Sequence, residues 1–282
     1  MRAVLLVIVI ISIAGSLSAS GHGPVYGLAT PVNSEGETSI DVGASSRVGS
    51  GTNDTSVRTM VTYGFTPHLQ LSLAAPGSFS TANLPASATM GGDLSGTIGW
   101  RFHHRGPEVG KRFETTLFSG FVLPELQRSP GTMGTLKRAP GISTALVTGM
   151  ASRSHYVWVG GGITHYFERD GDQRPQVVHY SVVYGYRPPV LRKDYPHWDW
   201  RLFGEMVGER ASDMRQAGFT IPGSHTHQIF AGPTTLGIYK NFAISGGVLF
   251  PLYRDNRAFA RERFRIAVNL SYFIFHFSGD HK

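Results

Sequence analysis

The sequence predicts an all-β fold: a transmembrane antiparallel up-and-down β-barrel of about 12 strands. Three observations predict it. An apolar stretch near the amino terminus is typical of an export signal, and the rest of the chain alternates apolar and polar residues with a period of two. The connections between the alternating runs tend to be short and long in turn, as they are in outer-membrane barrels.

The composition excludes several other classes of protein. Only 16% of the 282 residues are charged, against about a quarter in soluble domains, yet the mean hydropathy of -0.09 is too low for a bundle of membrane helices. The 17 Phe, 11 Tyr and 4 Trp argue against disorder. There is no cysteine, which excludes disulfides, cysteine-ligated metals and a thiol nucleophile.

The net charge of +7 does not indicate a nucleic-acid partner. The 26 lysines and arginines are scattered along the chain, with no run of five or more. We therefore predict no nucleic-acid binding.

The first twenty residues are typical of a secretory signal peptide. Met1 and Arg2 precede an apolar run over residues 3–14, and small residues follow as far as Ser20. The apolar run is shorter than the roughly 20 residues that a membrane-spanning helix needs. We predict export, with a signal peptide at 1–20, an N-terminal periplasmic lead at 21–36, the barrel at 37–277 and a polar tail at 278–282.

The alternation beyond residue 36 predicts strands with two different faces. In the last run Phe264, Ile266 and Val268 alternate with Arg265 and Asn269. Twelve such runs can be drawn, approximately at 37–48, 55–65, 68–75, 92–103, 112–124, 141–151, 154–168, 176–187, 198–210, 225–236, 240–251 and 261–277.

Run length and connection length favour a membrane barrel over a soluble sandwich or propeller. Strands of soluble domains usually have five or six residues, whereas these runs reach ten or more, the length that a tilted strand needs to cross a bilayer. Short connections follow at 66–67, 152–153 and 239–241, and long ones at 76–91, 125–140 and 211–224. Two connections on the short side, 104–111 and 188–197, are longer than this pattern predicts.

If the apolar set of each run faces lipid, the polar set lines the lumen. Arginine or lysine at the bilayer midplane costs about 2–4 kcal/mol, so charged residues are expected to face inward. The predicted lumen-lining residues are Arg58, Arg101, Glu114, His179, Asp199, Arg201, Glu205, Arg263 and Arg265. They fit a polar pore lining that sets selectivity, and equally a salt-bridged plug that rigidifies a closed barrel.

Motifs of enzymatic chemistry are absent from the sequence. It contains no zinc-protease, nucleophile-elbow or Walker pattern, and we predict no catalytic residue, no metal site and no cofactor. His225 and His227 would share one face of a strand and could bind a metal or act as a base, or could simply belong to a polar loop edge.

Two stretches resemble a known family. Residues 21–47 (GHGPVYGLATPVNSEGETSIDVGASSR) carry a Gly-Leu-Ala-Thr-Pro element that leads into the first strand, and residues 227–252 (HQIFAGPTTLGIYKNFAISGGVLFPL) carry two strands around a short turn. Together they resemble the bacterial outer-membrane family labelled "MetA-pathway of phenol degradation". The resemblance implies an outer-membrane barrel for small aromatic or other hydrophobic compounds and assigns no catalytic residue. The polar tail after Phe277 departs from the usual aromatic ending.

These observations predict a protein of the bacterial outer membrane whose partners are the lipid bilayer and a small-molecule solute. The leading hypothesis is a passive channel or transporter. A plugged structural or accessory barrel is the alternative, and a lipid-modifying barrel enzyme is a third. The solute, the direction of transport and the oligomeric state stay open.

Overall fold

The chain forms a closed antiparallel β-barrel of twelve strands. The computed structural model describes residues 23–49, 53–80, 93–123, 136–137, 139–193, 196–256, 259 and 261–275. The predicted signal peptide and polar tail lie outside the described residues. Among the described residues no helix is long and apolar enough to cross a membrane.

All twelve predicted runs are confirmed as the strands of the barrel, with ends that move by a few residues. The strands are β1 (Glu37–Gly49), β2 (Asn53–Thr66), β3 (Leu69–Ser80), β4 (Leu94–Glu108), β5 (Lys111–Leu123), β6 (Gly141–Ala151), β7 (His155–Tyr166), β8 (Val177–Tyr186), β9 (Asp199–Ala211), β12 (Thr226–Tyr239), β13 (Phe242–Asn256) and β14 (Glu262–Phe275). Each pairs with its neighbours in the chain, and β1 pairs with β14 from Glu37 opposite Phe275 to Gly49 opposite Glu262. Closure leaves no sheet edge, which a hydrocarbon environment would penalise.

The period of two divides every strand into an outer and an inner face. Large apolar side chains on the outer face are exposed, including Leu73, Leu146, Val159, Val182, Leu202 and Val268. Their neighbours along the strands point into the barrel and are buried, such as Val147 in β6 and Val183 in β8. An apolar exterior around a mixed interior is the distribution that a membrane barrel requires.

The prediction of a long connection at 104–111 is wrong. Strands β4 and β5 continue through it, with Glu108 opposite Lys111, and only Val109 and Gly110 form the turn. Gly110 has a φ of 77°, a conformation that glycine adopts without steric cost. The connection is therefore a hairpin that extends beyond β3, because β3 begins at Leu69 opposite Trp100.

A second hairpin was not predicted. Strands β10 (Arg215–Gln216) and β11 (Phe219–Thr220) pair within the connection between β9 and β12. Ala217 and Gly218 turn the chain with φ of 49° and 84°, the pair of positive values that characterises a tight hairpin turn. Strands of two residues are too short to produce a visible alternation.

The apolar exterior predicts the effect of a charge at its centre. Val268, midway along β14, is half exposed on the outer face. We expect Val268→Arg to lower the free energy of unfolding from lipid vesicles by about 2–4 kcal/mol, because the guanidinium meets hydrocarbon. Urea unfolding in vesicles measures this change, with Val268→Leu as the control. Equal stability of the two variants would contradict a lipid-facing position.

Candidate functional site: the occupied lumen

The segment that precedes β1 lies inside the barrel. Residues 25–33 make hydrogen bonds to inward side chains of β3, β5, β8 and β9. Residues 25–33 therefore lie in the lumen and not, as the prediction for 21–36 has it, in a periplasmic lead. An extended backbone without strand partners must find hydrogen bonds elsewhere, and the polar lumen provides them. We call residues 23–36 the lumen segment.

The lumen segment is held near β1 by Asn33. Its backbone N–H donates to Gln70 Oε1 at 2.8 Å, and its side-chain amide donates to Ser39 Oγ at 3.2 Å. Gly64 of β2 permits the close approach of the segment, because a Cβ atom there would lie 2.0 Å from the carbonyl oxygen of Ser34. The chain enters the barrel at the end where β1 begins.

Thr30 forms the second attachment. Its hydroxyl donates to Glu114 Oε2 at 3.0 Å and accepts from Trp158 Nε1 at 3.0 Å, while its carbonyl accepts from Thr116 Oγ1 at 2.7 Å. Glu114 also accepts from Arg101 Nη1 at 2.8 Å. Glu114 is 1% exposed, so its charge has left water and depends on these partners.

Glu205 forms the third and most extensive attachment. Its carboxylate accepts three consecutive backbone N–H groups, from Val25 at 2.7 Å, Tyr26 at 2.8 Å and Gly27 at 2.6 Å. The hydroxyl of Thr234 on β12 donates to the same carboxylate. Glu205 is 2% exposed. Hydrogen bonds to a buried charge are about twice as strong as neutral ones, so this carboxylate is the main anchor of the lumen segment.

A network of buried ion pairs crosses the lumen beyond Glu205, farther from the end of the barrel where β1 begins. Arg265 of β14 donates to Glu209 of β9 at 2.8 Å and to Glu262 at 2.7 Å, and Arg47 of β1 pairs with Glu262 at 3.0 Å. The guanidinium of Arg265 lies 4.0 Å from the ring centre of Phe230. Strands β12 and β13 separate β9 from β14, so the Arg265–Glu209 pair joins two distant parts of the wall. Arg47 also pairs with Asp54 at 3.7 Å, so two arginines of this network face three carboxylates.

Two uncharged polar side chains flank Glu209. His179 of β8 and Gln228 of β12 occupy the positions opposite Glu209 in the two adjoining ladders. Both are at least nine-tenths buried, and among the described residues no hydrogen-bond partner reaches either ring nitrogen of His179 or the side-chain oxygen of Gln228. Buried polar atoms usually have hydrogen-bond partners. These three atoms have none among the described residues, so they are available to bind water or a solute.

The sequence-predicted lining residues fall into separate groups. Arg101 meets Glu114, and Arg201 meets Asp199 at 3.4 Å, with Arg187 on the other carboxylate oxygen at 2.6 Å. Glu205 holds the lumen segment, Arg265 belongs to the crossing network and His179 lies beside it. Arg58 lies near Met60 Sδ at 3.7 Å.

Arg263 is the exception among the nine. The register between β1 and β14 shifts so that Gly49 faces Glu262 while Val48 faces Phe264. Glu262 is fully buried in the ion network, whereas Arg263 is exposed. The prediction for Arg263 is wrong because strict alternation from Arg265 fails at this irregularity, which the sequence pattern does not reveal.

Several residues of the site were not predicted. Arg47, Gln228 and Glu262 were not assigned to the lumen, and the lumen segment was placed outside the barrel. Glu209 had a usable signal, because it lies four residues after Glu205 in the same strand and therefore on the same face. The lumen segment has no alternation, and only its contacts reveal its place.

His225 and His227 do not form a common site. His225 Nδ1 lies 3.1 Å from Asp213 Oδ1, whereas His227 Nε2 lies 3.0 Å from the hydroxyl of Tyr180. Ser224 Oγ also donates to Asp213 Oδ1, at 3.3 Å, so the serine and the histidine share one carboxylate oxygen. Within the described ranges no group of three or more His, Asp and Glu side chains could hold a metal ion.

Four connections pack together at the other end of the barrel. Leu136, Met214 and Phe259 are buried against each other, and each comes from a different connection. Asp172, from a fourth connection, accepts the backbone N–H of Lys137 at 2.8 Å and that of Ala217 at 2.7 Å. These hydrogen bonds hold the pKa of Asp172 below its usual value.

The geometry limits what can pass through the barrel in this state. Glu114, Glu205 and Arg265 are at most 2% exposed at three levels of the lumen, and the lumen segment contacts the first two. The lumen segment and the buried ion pairs therefore occupy part of the barrel interior.

The fold is similar to solved outer-membrane barrels. The COG4313 outer membrane channel from Pseudomonas putida F1 aligns over 87% of this chain and 98% of its own, with 13% identity and a TM-score of 0.63. The NanC porin aligns over 84% of this chain and 100% of its own, with 9% identity and a TM-score of 0.50. At such identities the likeness concerns the fold alone, and it confirms an outer-membrane type of barrel.

No family model and no curated protein matches the chain. The resemblance to the "MetA-pathway of phenol degradation" family therefore stays a prediction, whereas the barrel that it implied is confirmed.

Removal of the charge at Glu205 should release the lumen segment. Glu205→Gln keeps the shape of the side chain but places an NH2 group against N–H donors. We expect amide hydrogen exchange of residues 25–27 to accelerate by about tenfold or more, from the loss of hydrogen bonds to a charged group. Glu108→Gln, at the exposed end of β4, is the control. Unchanged protection at residues 25–27 would show that other contacts suffice.

The packing of the four connections should loosen only at strongly acidic pH. Because the pKa of Asp172 is depressed, its carboxylate stabilises the packing at neutral pH and loses that effect as the pH falls through the depressed value. We expect the amide NMR signals of Lys137 and Ala217 to shift only below pH of about 3.9, the ordinary aspartate value. Asp172→Asn should show the shifted signals at neutral pH. A transition above that value would contradict the assignment.

Proposed function

We propose that the protein is an outer-membrane channel for small molecules, closed at rest by its own lumen segment. The observation that carries the proposal is the attachment of residues 25–27 to Glu205 within a wall that is complete without them. The twelve strands close the barrel through backbone ladders, so the segment can leave without opening the wall.

The attachments of the lumen segment suit reversible binding. They include hydrogen bonds through Asn33, Thr30, Leu28 and residues 25–27. Tyr26 and Leu28 also pack in apolar clusters of the wall, and the segment adds no strand to the barrel. Each hydrogen bond can be exchanged for one to water when the segment moves. The covalent link to β1 keeps the displaced segment near the lumen.

The interior favours small aromatic or other hydrophobic solutes. The inward rings of Tyr156, Trp158 and Phe203 lie next to one another, with centres 5.6–6.3 Å apart. Leu28 of the lumen segment belongs to the same apolar cluster. Withdrawal of the segment would expose this aromatic surface along the passage, where an apolar solute could replace it.

We infer the membrane location from the apolar exterior and the orientation from the lengths of the turns. The outer face carries the apolar belt, and both ends of the strand series meet where the shorter turns lie. In outer-membrane barrels short turns face the periplasm, so we place the β1 end of the barrel there and the packed connections outside. Export by a signal peptide at 1–20 stays part of the proposal.

A permanently plugged accessory barrel is the second candidate. The buried Arg47–Glu262–Arg265–Glu209 network favours it, because breaking a buried ion pair is costly and such a network rigidifies the wall. The two candidates differ in one property. The channel requires the lumen segment to move, and the accessory barrel requires it to stay.

A disulfide between the segment and the wall tests this difference. A Cβ atom at Gly27 would lie 2.3 Å from Val183 Cγ2, so with a C–C bond of about 1.5 Å the two Cβ atoms are at most about 3.8 Å apart. That separation suits a disulfide, and the natural chain has no cysteine. We expect the double variant Gly27→Cys and Val183→Cys to lose ion current in planar bilayers when oxidised and to regain it on reduction.

Each single cysteine variant is the matched control, and neither should respond to oxidant. A current that is unchanged by the disulfide would show that ions do not need the segment to move. The absence of current in the wild type, in the reduced double variant and in Glu205→Gln would favour the plugged accessory barrel.

A further inference from the structure

The periplasmic rim of the barrel has a basic pocket that adjoins the lipid-facing surface. It lies where β3 ends and the β4–β5 hairpin extends beyond it, with a volume of about 400 Å³. Its lining consists of His68, Trp100, Arg101, Phe102 and His104. Four of the five side chains carry nitrogen donors, and Trp100 and Phe102 are large aromatic rings.

The aromatic wall places the pocket at the boundary between lipid and water. Trp100 and Phe102 are each about half exposed, and their ring centres lie 5.4 Å apart. Aromatic rings of this kind concentrate at the level of the lipid headgroups, where one side is apolar and the other is wet. Trp100 is opposite Leu69 at the start of β3, which marks the end of the continuous wall.

The basic side chains exceed the acidic ones around the pocket. Glu114 is the carboxylate near its base, and Arg101 Nη1 at 2.8 Å, Arg112 Nε at 3.6 Å and His104 Nε2 at 3.8 Å all face it. Two guanidinium groups against one carboxylate leave a net positive charge even when the histidines are neutral. An anion is therefore favoured at this place.

Arg101 brings a fixed positive charge to the pocket. Its Nη1 binds Glu114, and its Nη2 donates to the carbonyl of Pro67. His68 and His104 present exposed rings in the same pocket, each with one N–H donor even when neutral. Two histidine donors beside a guanidinium charge in a concave space match the oxygens of a phosphate group.

We propose that this pocket binds the headgroup of an anionic phospholipid of the inner leaflet, with the phosphate at His68, Arg101 and His104 and the acyl chains along Trp100 and Phe102. The proposal rests on the membrane orientation given under Proposed function. A free phosphate ion would use the basic side chains alone, whereas the exposed aromatic wall beside them fits a molecule with an apolar tail.

Retention of lipids by the full-length barrel in native mass spectrometry tests the proposal. The protein in detergent is given limiting amounts of phosphatidylglycerol or phosphatidylcholine. We expect the wild type to retain phosphatidylglycerol in preference, and the double variant His68→Ala with His104→Ala to bind it about tenfold more weakly, because donors to a charged group are lost. Both histidines are exposed, so the barrel should fold, which its heat-dependent mobility on gels can verify.

Lys240→Ala is the matched control. Lys240 lies in the turn between β12 and β13, at the same end of the barrel, and its Nζ is 5.3 Å from the ring centre of Tyr239. Neither β12 nor β13 is adjacent to β4 in the barrel. This variant should keep wild-type retention. Inorganic phosphate in large excess should fail to displace phosphatidylglycerol from the wild type.

Equal retention of the two lipids, or a double variant that matches the wild type, would overturn the proposal. Displacement of the lipid by inorganic phosphate would also overturn it, because the pocket would then recognise phosphate without the apolar tail. Failure of the channel proposal has a different signature: no current in the reduced cysteine variant or in Glu205→Gln. That measurement does not depend on whether the protein retains lipid.

Discussion

The arrangement of the lumen depends on the carboxylate of Glu205. Three consecutive backbone N–H groups of the lumen segment and the hydroxyl of Thr234 converge on it, away from water. A buried carboxylate requires such donors, and an extended backbone inside a barrel requires an acceptor, so each satisfies the other. The positions of Val25, Tyr26 and Gly27 in the lumen follow from this contact.

The wall and its contents are stabilised by different interactions. Backbone ladders close the twelve strands, and the apolar exterior suits the bilayer, whether or not the lumen is occupied. The contents are held by side chains: Glu114 and Glu205 on the segment, and Arg265 with its two glutamates across the lumen. This separation allows the lumen to change state within an intact wall, which a gated channel needs. The basic and aromatic pocket at the rim where β1 begins is likewise part of the wall and does not depend on the lumen segment for its lining.

The candidate site was predictable wherever alternation holds. Glu114 and Glu205 lie in regular strands, so their inward position follows from the residues on either side. The same reasoning failed at Arg263, because one irregular step in the pairing of β1 with β14 turns Glu262 inward instead. It also overlooked the hairpin of β4 and β5, whose strands continue through residues that read as a turn. The alternation of residue types along a strand indicates which face each residue occupies. It does not indicate where the register between two paired strands shifts.

The alternation along the chain predicts the twelve strands and their two faces, because a period of two is a local property of a strand. Closure of the barrel is non-local, since Glu37 of β1 pairs with Phe275 of β14, and the contents of the lumen likewise follow only from the folded structure. Residues 23–36 have no periodicity, and their partners on strands β3 to β13 lie 37 to 221 residues away along the chain. Closure of the barrel brings Glu114, Ser181 and Glu205 around one short segment, and contacts between such distant residues leave no trace in the pattern of either stretch.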